Sequence, residues 1–272
     1  PETVSVGELF AGAMLPGLVL VSLYIIYLVL LAVFRPALMP AVEQGPEQVV
    51  SFSTLLSLLA GPLLLIVAVL GSILMGLATP TEAAAVGATG AMLLALKQKQ
   101  LTLETLRAVV FQSARVSAMV FMILIGASLF SLVFRGYGGD EYIQQLLTNL
   151  PGGEAGALLI VMLVLFLLGF ILDFIEITYV VIPIVGPVLL AMGIDPVWLG
   201  VMIAINLQTS FLTPPFGFSL FYLRGVAPPE IATMSIYKGV IPFIAIQLLM
   251  LLMLTIWPQM ATWLPDVVYS RG

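Results

Sequence analysis

Cysteine and histidine are both missing from this 272-residue chain. Their absence excludes disulfides, thiolate and imidazole metal sites, an axial histidine for haem, cysteine nucleophiles and every histidine-dependent triad. It says little about redox compartment, because membrane spans need no disulfides. Charge is scarce too, at 8% of residues, and the net charge of −5 is spread thinly over the connections between apolar runs. That balance speaks against a nucleic-acid partner and against a basic patch on a membrane surface. There is no glycine-rich cofactor fingerprint after a strand, and no Ser–Lys or paired-Asp arrangement in facing spans to suggest an intramembrane enzyme. No secretory signal peptide is visible. The chain opens on Pro1 rather than methionine and so reads as part of something longer.

What the chain does have is apolar surface: 61% of its residues are hydrophobic, and the mean hydropathy is +1.20. The composition reads as an all-α polytopic membrane protein. Charge-free or nearly charge-free spans are expected over Leu9 to Phe34, Leu55 to Ala78, Val116 to Phe134, Val197 to Leu223 and Ile241 to Leu264. The stretch from Arg35 to Ser53, with Pro36, Pro40, Gly45 and Pro46, reads as a polar connection. At Thr79-Pro80-Thr81-Glu82 a new helix is predicted, with Thr79 as N-cap, Pro80 in the first helical position and Glu82 closing a capping box. A single straight helix from 55 to 96 would be about 63 Å long, twice the membrane, so a turn at Thr79 fits better. Small residues then follow (Ala83, Ala84, Ala85, Gly87, Ala88, Gly90), which let helices approach closely in lipid. The basic connection from Lys97 to Arg107 is placed in the cytoplasm, and Arg224 and Lys238 fall on the same side without adjustment. A short amphipathic helix is predicted from Asp140 to Leu150, and Trp257 and Trp263 suit interface anchors.

Two apolar runs, Ala155 to Leu172 and Ile177 to Ile194, flank Asp173-Phe-Ile-Glu176. Each is about 27 Å as helix, barely the thickness of a hydrocarbon core of roughly 30 Å, and almost nothing is left for a turn in water. A helical hairpin that enters the bilayer and returns, its acidic tip held by surrounding protein, is the economical reading. Acids at that depth are functional suspects. The run Asn206-Leu-Gln-Thr209-Ser210-Phe-Leu-Thr213-Pro214-Pro215-Phe-Gly217 is too polar and proline-rich for an unbroken span. A break near Leu212 to Pro215 would leave carbonyls near mid-membrane beside Thr and Ser hydroxyls. Half-helix C-terminal ends coordinate Na⁺, and half-helix N-termini favour anionic groups, so this break is a candidate ion or substrate site.

Several motifs carry a family likeness. Gly76-Leu-Ala-Thr-Pro-Thr-Glu-Ala-Ala-Ala-Val-Gly87 resembles the G-x-x-T-P-T-E-A-A motif of the large membrane subunit of tripartite ATP-independent periplasmic (TRAP) transporters. Leu172-Asp173 with the arm bearing Pro183 and Pro187, Gly193-Ile-Asp-Pro196, Thr213-Pro-Pro-x-Gly217 and Ser5-Val-Gly-Glu-Leu-Phe-Ala-Gly-x-x-x-Pro-Gly17 are similar to the same family. The resemblance implies the second half of an inverted-repeat elevator-type transporter with a re-entrant helical hairpin and a broken transmembrane helix. It divides the chain into 1–34, a helix linking the two repeats; 35–152, scaffold helices; 153–223, the transport-domain hairpin (153–192) and broken helix (197–223); and 224–272, a cytoplasmic loop, last transmembrane helix and tail. It implies a bacterial inner-membrane permease, multi-pass, importing a small organic acid with Na⁺ as coupling ion and no other cofactor. Its partners would be a small four-helix membrane subunit, a periplasmic substrate-binding protein, the N-terminal half of the same large subunit and membrane lipid. The pair Glu176 and Thr178 looks like the subfamily labelled for mannitol or chloroaromatic compounds.

On this reading the sodium and substrate candidates are Asp173, Glu176, Thr178, Asn206, Thr209, Ser210, Thr213 and Pro214, with Thr209 and Thr213 as Na⁺ ligands. Each has a structural alternative. Asp173 would serve equally as an N-cap and Glu176 as the partner of a neighbouring arginine. Hydroxyls such as Thr209 and Ser210 bond back to preceding carbonyls, Thr213-Pro214 kinks a span, and Asn206 joins helices. Thr79 and Glu82 read as a structural cap. The alternative function is a proton-coupled dicarboxylate or ion exchanger on a related plan, with Asp173 and Glu176 as its relay.

Overall fold

The computed structural model describes residues 4–39, 51–214 and 217–269; these form helices, with no strand among them. Pro40, Gly45, Pro46 and Pro215, which figure in the expected connection and break, lie outside the described residues. The helices are α1 (Val6–Phe34), α2 (Phe52–Leu74), α3 (Pro80–Lys97), α4 (Leu103–Gly136), α5 (Gly139–Thr148), α6 (Gly153–Leu168), α7 (Phe174–Glu176), α8 (Ile182–Ala191), α9 (Pro196–Leu212), α10 (Phe218–Val226), α11 (Thr233–Ile256) and α12 (Gln259–Tyr269). Four stretches among them are long and apolar enough to cross a membrane: Val6–Phe34, Leu103–Gly136, Phe174–Ala191 and Thr233–Ile256. Their outward faces are apolar as well, with Leu18, Val33 and Leu132 all exposed. This is the surface a polytopic membrane protein presents to lipid or to neighbouring helices, where water would penalise it.

The turn between α2 and α3 forms where the Thr-Pro-Thr-Glu string places it. Thr79 Oγ1 accepts from the Glu82 amide at 3.4 Å, and Glu82 Oε2 accepts from the Thr79 amide at 2.7 Å and hydroxyl at 2.8 Å. Glu82 lies outside the four crossing helices. The Thr79 amide first, and then its hydroxyl, hold this carboxyl below its ordinary range. A lowered folded-state value means the cap is intact above the ordinary carboxylate range and weakens only as pH falls through the lowered one.

Three boundaries depart from the sequence expectation. The last span, expected over Ile241 to Leu264, begins earlier at Thr233 and ends at Ile256. Pro258 forces this stop: it disfavours helical geometry at Trp257, which sits at φ −124° and ψ 75°, and the chain restarts as α12. The span expected over Val116 to Phe134 is longer at both ends, since α4 runs unbroken from Leu103 to Gly136. The hairpin bend falls earlier than the acids: Gly169 to Leu172 form the turn, Asp173 caps the returning arm, and Glu176 is already in its first turn.

The returning arm also widens into a π-helical turn over Ile177–Val181, where the Ile182 amide reaches the Ile177 carbonyl five residues back. Pro183 explains it. The proline has no amide to offer and its ring crowds the carbonyl four residues earlier, so the wider turn relieves both problems.

Helix α9 is the centre of the packing. Val197, Leu199, Val201, Met202, Ile203, Ile205 and Leu207 are all buried, and α1, α6, α10, α11 and α12 surround it. Helices α2 and α3 pack mainly on each other and reach the bundle through α1, while α4 lies against the hairpin's returning arm. Lipid supplies no hydrophobic force between helices, so close packing and interhelical hydrogen bonds hold α9 in place. Trp198 Nε1 donates to the Leu254 carbonyl of α11 at 2.9 Å, and Asn206 Nδ2 donates to the Met162 carbonyl of α6 at 2.8 Å. Each such bond contributes roughly 1 kcal/mol in a membrane.

Replacing Thr79 with alanine removes the N-cap acceptor of α3. Thermal or denaturant unfolding should show a loss of about 1 kcal/mol; an unchanged stability would mean that the α2–α3 turn does not depend on the cap.

Candidate functional site

The hairpin meets the broken helix at one very close contact. A Cβ placed on Gly169, at the end of α6, would lie 2.1 Å from Ser210 Oγ and 2.8 Å from Ser210 Cβ. No side chain fits there, so glycine is what lets the hairpin tip rest on α9. The close approach puts the turn Gly169 to Leu172, and Asp173 after it, beside the last turns of α9.

Helical periodicity sorts the polar residues of α9 into two faces. Asn206, Thr209, Ser210 and Thr213 recur at three- and four-residue spacing on the side of α6. Asn206 is 4% exposed, Thr209 0% and Ser210 1%, so these groups lie inside the protein. Ala204, Leu207, Gln208 and Phe211 share the other face and line a cavity of about 540 Å³ with Phe174, Thr178 and Ile182 of the returning arm. The structure thus separates the predicted residues: Thr178 belongs to this cavity, and the hydroxyls of α9 turn towards the hairpin's first arm.

Every hydroxyl in the set donates back along its own helix. Thr178 Oγ1 donates to the Phe174 carbonyl, Thr209 Oγ1 to Ile205 and Thr213 Oγ1 to Thr209, each at 2.7 Å, and Ser210 Oγ to Leu207 at 2.8 Å. These are the local bonds expected of Ser and Thr in apolar helices. Each hydroxyl oxygen keeps its acceptor capacity, since these bonds use only its proton. The donor set is neutral, hard oxygen, suited to Na⁺ and unsuited to softer metals. Among the described residues no cluster of three or more Asp or Glu side chains could hold a metal ion.

Thr213 is where α9 ends. Its ψ of 127° takes the chain out of the helix, its amide donates to the Ser210 carbonyl at 3.1 Å, and its own carbonyl accepts from Gly217 at 3.0 Å. Pro214 follows in this turn. The path is tight, since a Cβ on Gly217 would lie 2.7 Å from the Phe211 carbonyl oxygen and 2.9 Å from that of Thr213.

Asp173 Oδ1 accepts from the Phe174 amide at 2.7 Å, so its geometry is that of an N-cap. Neither Asp173 nor Glu176 forms an ion pair among the described residues; Arg135 pairs with Asp140 at 3.2 Å, joining α4 to α5. Asn206 makes the helix-joining bond already described. Two glutamines were not singled out from the sequence. Gln208 faces the cavities on either side of α9's outer face, and Gln247 is buried in α11. A signal existed for both: each is an uncharged polar residue inside an otherwise apolar run.

A hairpin that returns on itself, a helix that ends at Thr213 and a surface of exposed apolar helices define a polytopic membrane protein. The family model described as "Tripartite ATP-independent periplasmic transporter, DctM component" matches residues 2–260, and the chain belongs to that family. It is similar to the C4-dicarboxylate TRAP transporter large permease protein DctM of Vibrio cholerae serotype O1, with 28% identity over 97% of this chain and 62% of the relative. The DctM protein of Rhodobacter capsulatus is 31% identical over 98% of this chain and 60% of its own length. The sialic acid TRAP transporter large permease protein SiaM of Vibrio cholerae is 26% identical over 98% and 62% respectively. These relatives are transporter permeases, not enzymes. The chain spans about three fifths of their length. Neither the likeness to the mannitol- or chloroaromatic-labelled branch nor the assignment to the C-terminal portion finds support in these comparisons.

Gly169→Ala should destabilise the protein by about 1–3 kcal/mol, the usual cost of overpacking. The double variant Gly169→Ala/Ser210→Gly should recover part of that loss, because it removes both atoms the new methyl meets. Strictly additive losses in an unfolding assay would show that the two positions do not touch.

Proposed function

We propose that this chain carries the hairpin and broken-helix unit of a large permease subunit that imports small organic acids, with Na⁺ as the coupling ion and an elevator movement as the transport step. The contact of Gly169 with Ser210 carries the reading, because it joins the hairpin tip to the break at Thr213. Na⁺ held by hydroxyl and carbonyl oxygens around Thr209 and Thr213, with Asp173 to Thr178 nearby, would order both segments at once. Substrate then binds to the ordered form, and the ion's preference for that form couples the two. A carboxylate substrate suits the start of α10 after the break, since half-helix N-termini favour anions; the names of the relatives, C4-dicarboxylate and sialic acid, are both of acids.

The moving body in this reading is built on α9, the hairpin and the helices packed on them. The α2–α3 pair, which packs mainly on itself, belongs to the static scaffold. The partners are the rest of the large subunit, a small four-helix membrane subunit, a periplasmic substrate-binding protein and the lipid of a bacterial inner membrane.

The test is the thermal stability of the full-length subunit with its small membrane partner, in Na⁺ against choline at fixed ionic strength. An ion bound to the folded form alone stabilises by about 2.7 kcal/mol at 100 times its Kd. A saturable, Na⁺-specific rise that disappears in Thr213→Ala is expected. A flat response, with uptake that stays pH-dependent without Na⁺, would instead favour a proton-coupled exchanger working through Asp173 and Glu176.

A further inference from the structure

A second cavity, of about 270 Å³, lies on the α1 and α11 side of the break, away from the hairpin. Tyr24, Gln208, Phe211, Ser219, Phe243 and Gln247 line it. Phe243 packs edge-on against Tyr24, with ring centroids 5.3 Å apart, which fixes α11 on α1. Gln247 is only 2% exposed, and its side-chain amide approaches the Tyr24 hydroxyl. Its Oε1 has no hydrogen-bond partner among the described residues. A buried amide oxygen left bare in the middle of a membrane helix is costly, and native proteins rarely keep one without a bound partner.

No charged side chain lines this cavity. The amide can also be turned end for end: Tyr24 meets one end and the other is left for the cavity. Water both donates and accepts, so it satisfies either arrangement, whereas a cation satisfies only one. The volume holds several waters, and Gln247, Ser219, Gln208 and the Tyr24 hydroxyl supply the polar contacts that buried water requires.

We propose that this cavity is a hydration site, in which water held by Gln247 links α10, through Ser219, to α1 and α11. The second half of the broken helix is then tied to the bundle by exchangeable hydrogen bonds and can shift without stranding a polar group. The site does not depend on Na⁺ coupling, and its failure would leave the reading of Thr213 untouched.

Radiolytic hydroxyl labelling tests it, on the full-length subunit with its membrane partner, after brief mixing into oxygen-18 water. Retained water should place oxygen-16 label on Tyr24 and Phe243, and the label should be lost in Gln247→Leu. Ser219→Ala, which removes a smaller group, should reduce it as well and serves if Gln247→Leu fails to fold. Absence of label in the wild type, or equal label in both variants, overturns the proposal. So does a gain in stability in Gln247→Leu, the mark of an acceptor that was bare. Displacement of the label by Na⁺ would also overturn it, by assigning the cavity to a cation.

Discussion

The rest of the arrangement depends on how closely the hairpin can approach α9. Two helical elements, the hairpin tip and the helix that ends at Thr213, are brought together where Gly169 faces Ser210 with no room for a Cβ. That contact sets how near the tip lies to α9, and with it the positions of Asp173 and the returning arm. Asn206 holds the same two helices together further along, through the Met162 carbonyl. Near the start of α9 Trp198 secures it to α11. A broken helix is weak by construction, having given up backbone hydrogen bonds at its middle. Here α9 is held to α6 and to α11 along its length up to Thr213.

Lipid as solvent explains why the polar groups lie where they do. Backbone groups freed at a break must find partners within the protein. The Thr213 amide and carbonyl are met by Ser210 and Gly217, and the hydroxyls of Thr209, Ser210 and Thr213 bond to carbonyls of their own helix. These bonds satisfy the break within the protein itself.

Much of this was legible in the sequence because it is local chemistry. Thr79-Pro80 with Glu82 names a helix start unambiguously, and Thr213-Pro214 names a stop. The paired apolar runs, too short to leave water for a turn between them, announce a hairpin. The misplaced features are those where tertiary geometry or a proline's reach decided the outcome. The charge-free run through Pro258 read as one span, although a proline disfavours helix at the residue before it. The acids of the hairpin drew attention to themselves as the bend, while the turn was made by Gly169 to Leu172 and Asp173 became a cap. The π-helical turn before Pro183 was not foreseen, since periodicity alone does not reveal a widened turn. Nor did the sequence tell which face of α9 each polar residue would take. That required knowing that α6 covers Asn206, Thr209 and Ser210 and leaves Gln208 outside.

The central claim is that hairpin tip and helix break act as one unit. Hydrogen exchange of the full-length permease complex, with and without Na⁺, measures this most directly. The account predicts that amides of residues 169–173 and 210–217 gain protection together, with the same dependence on Na⁺ concentration. Protection of one segment while the other exchanges unchanged would contradict it.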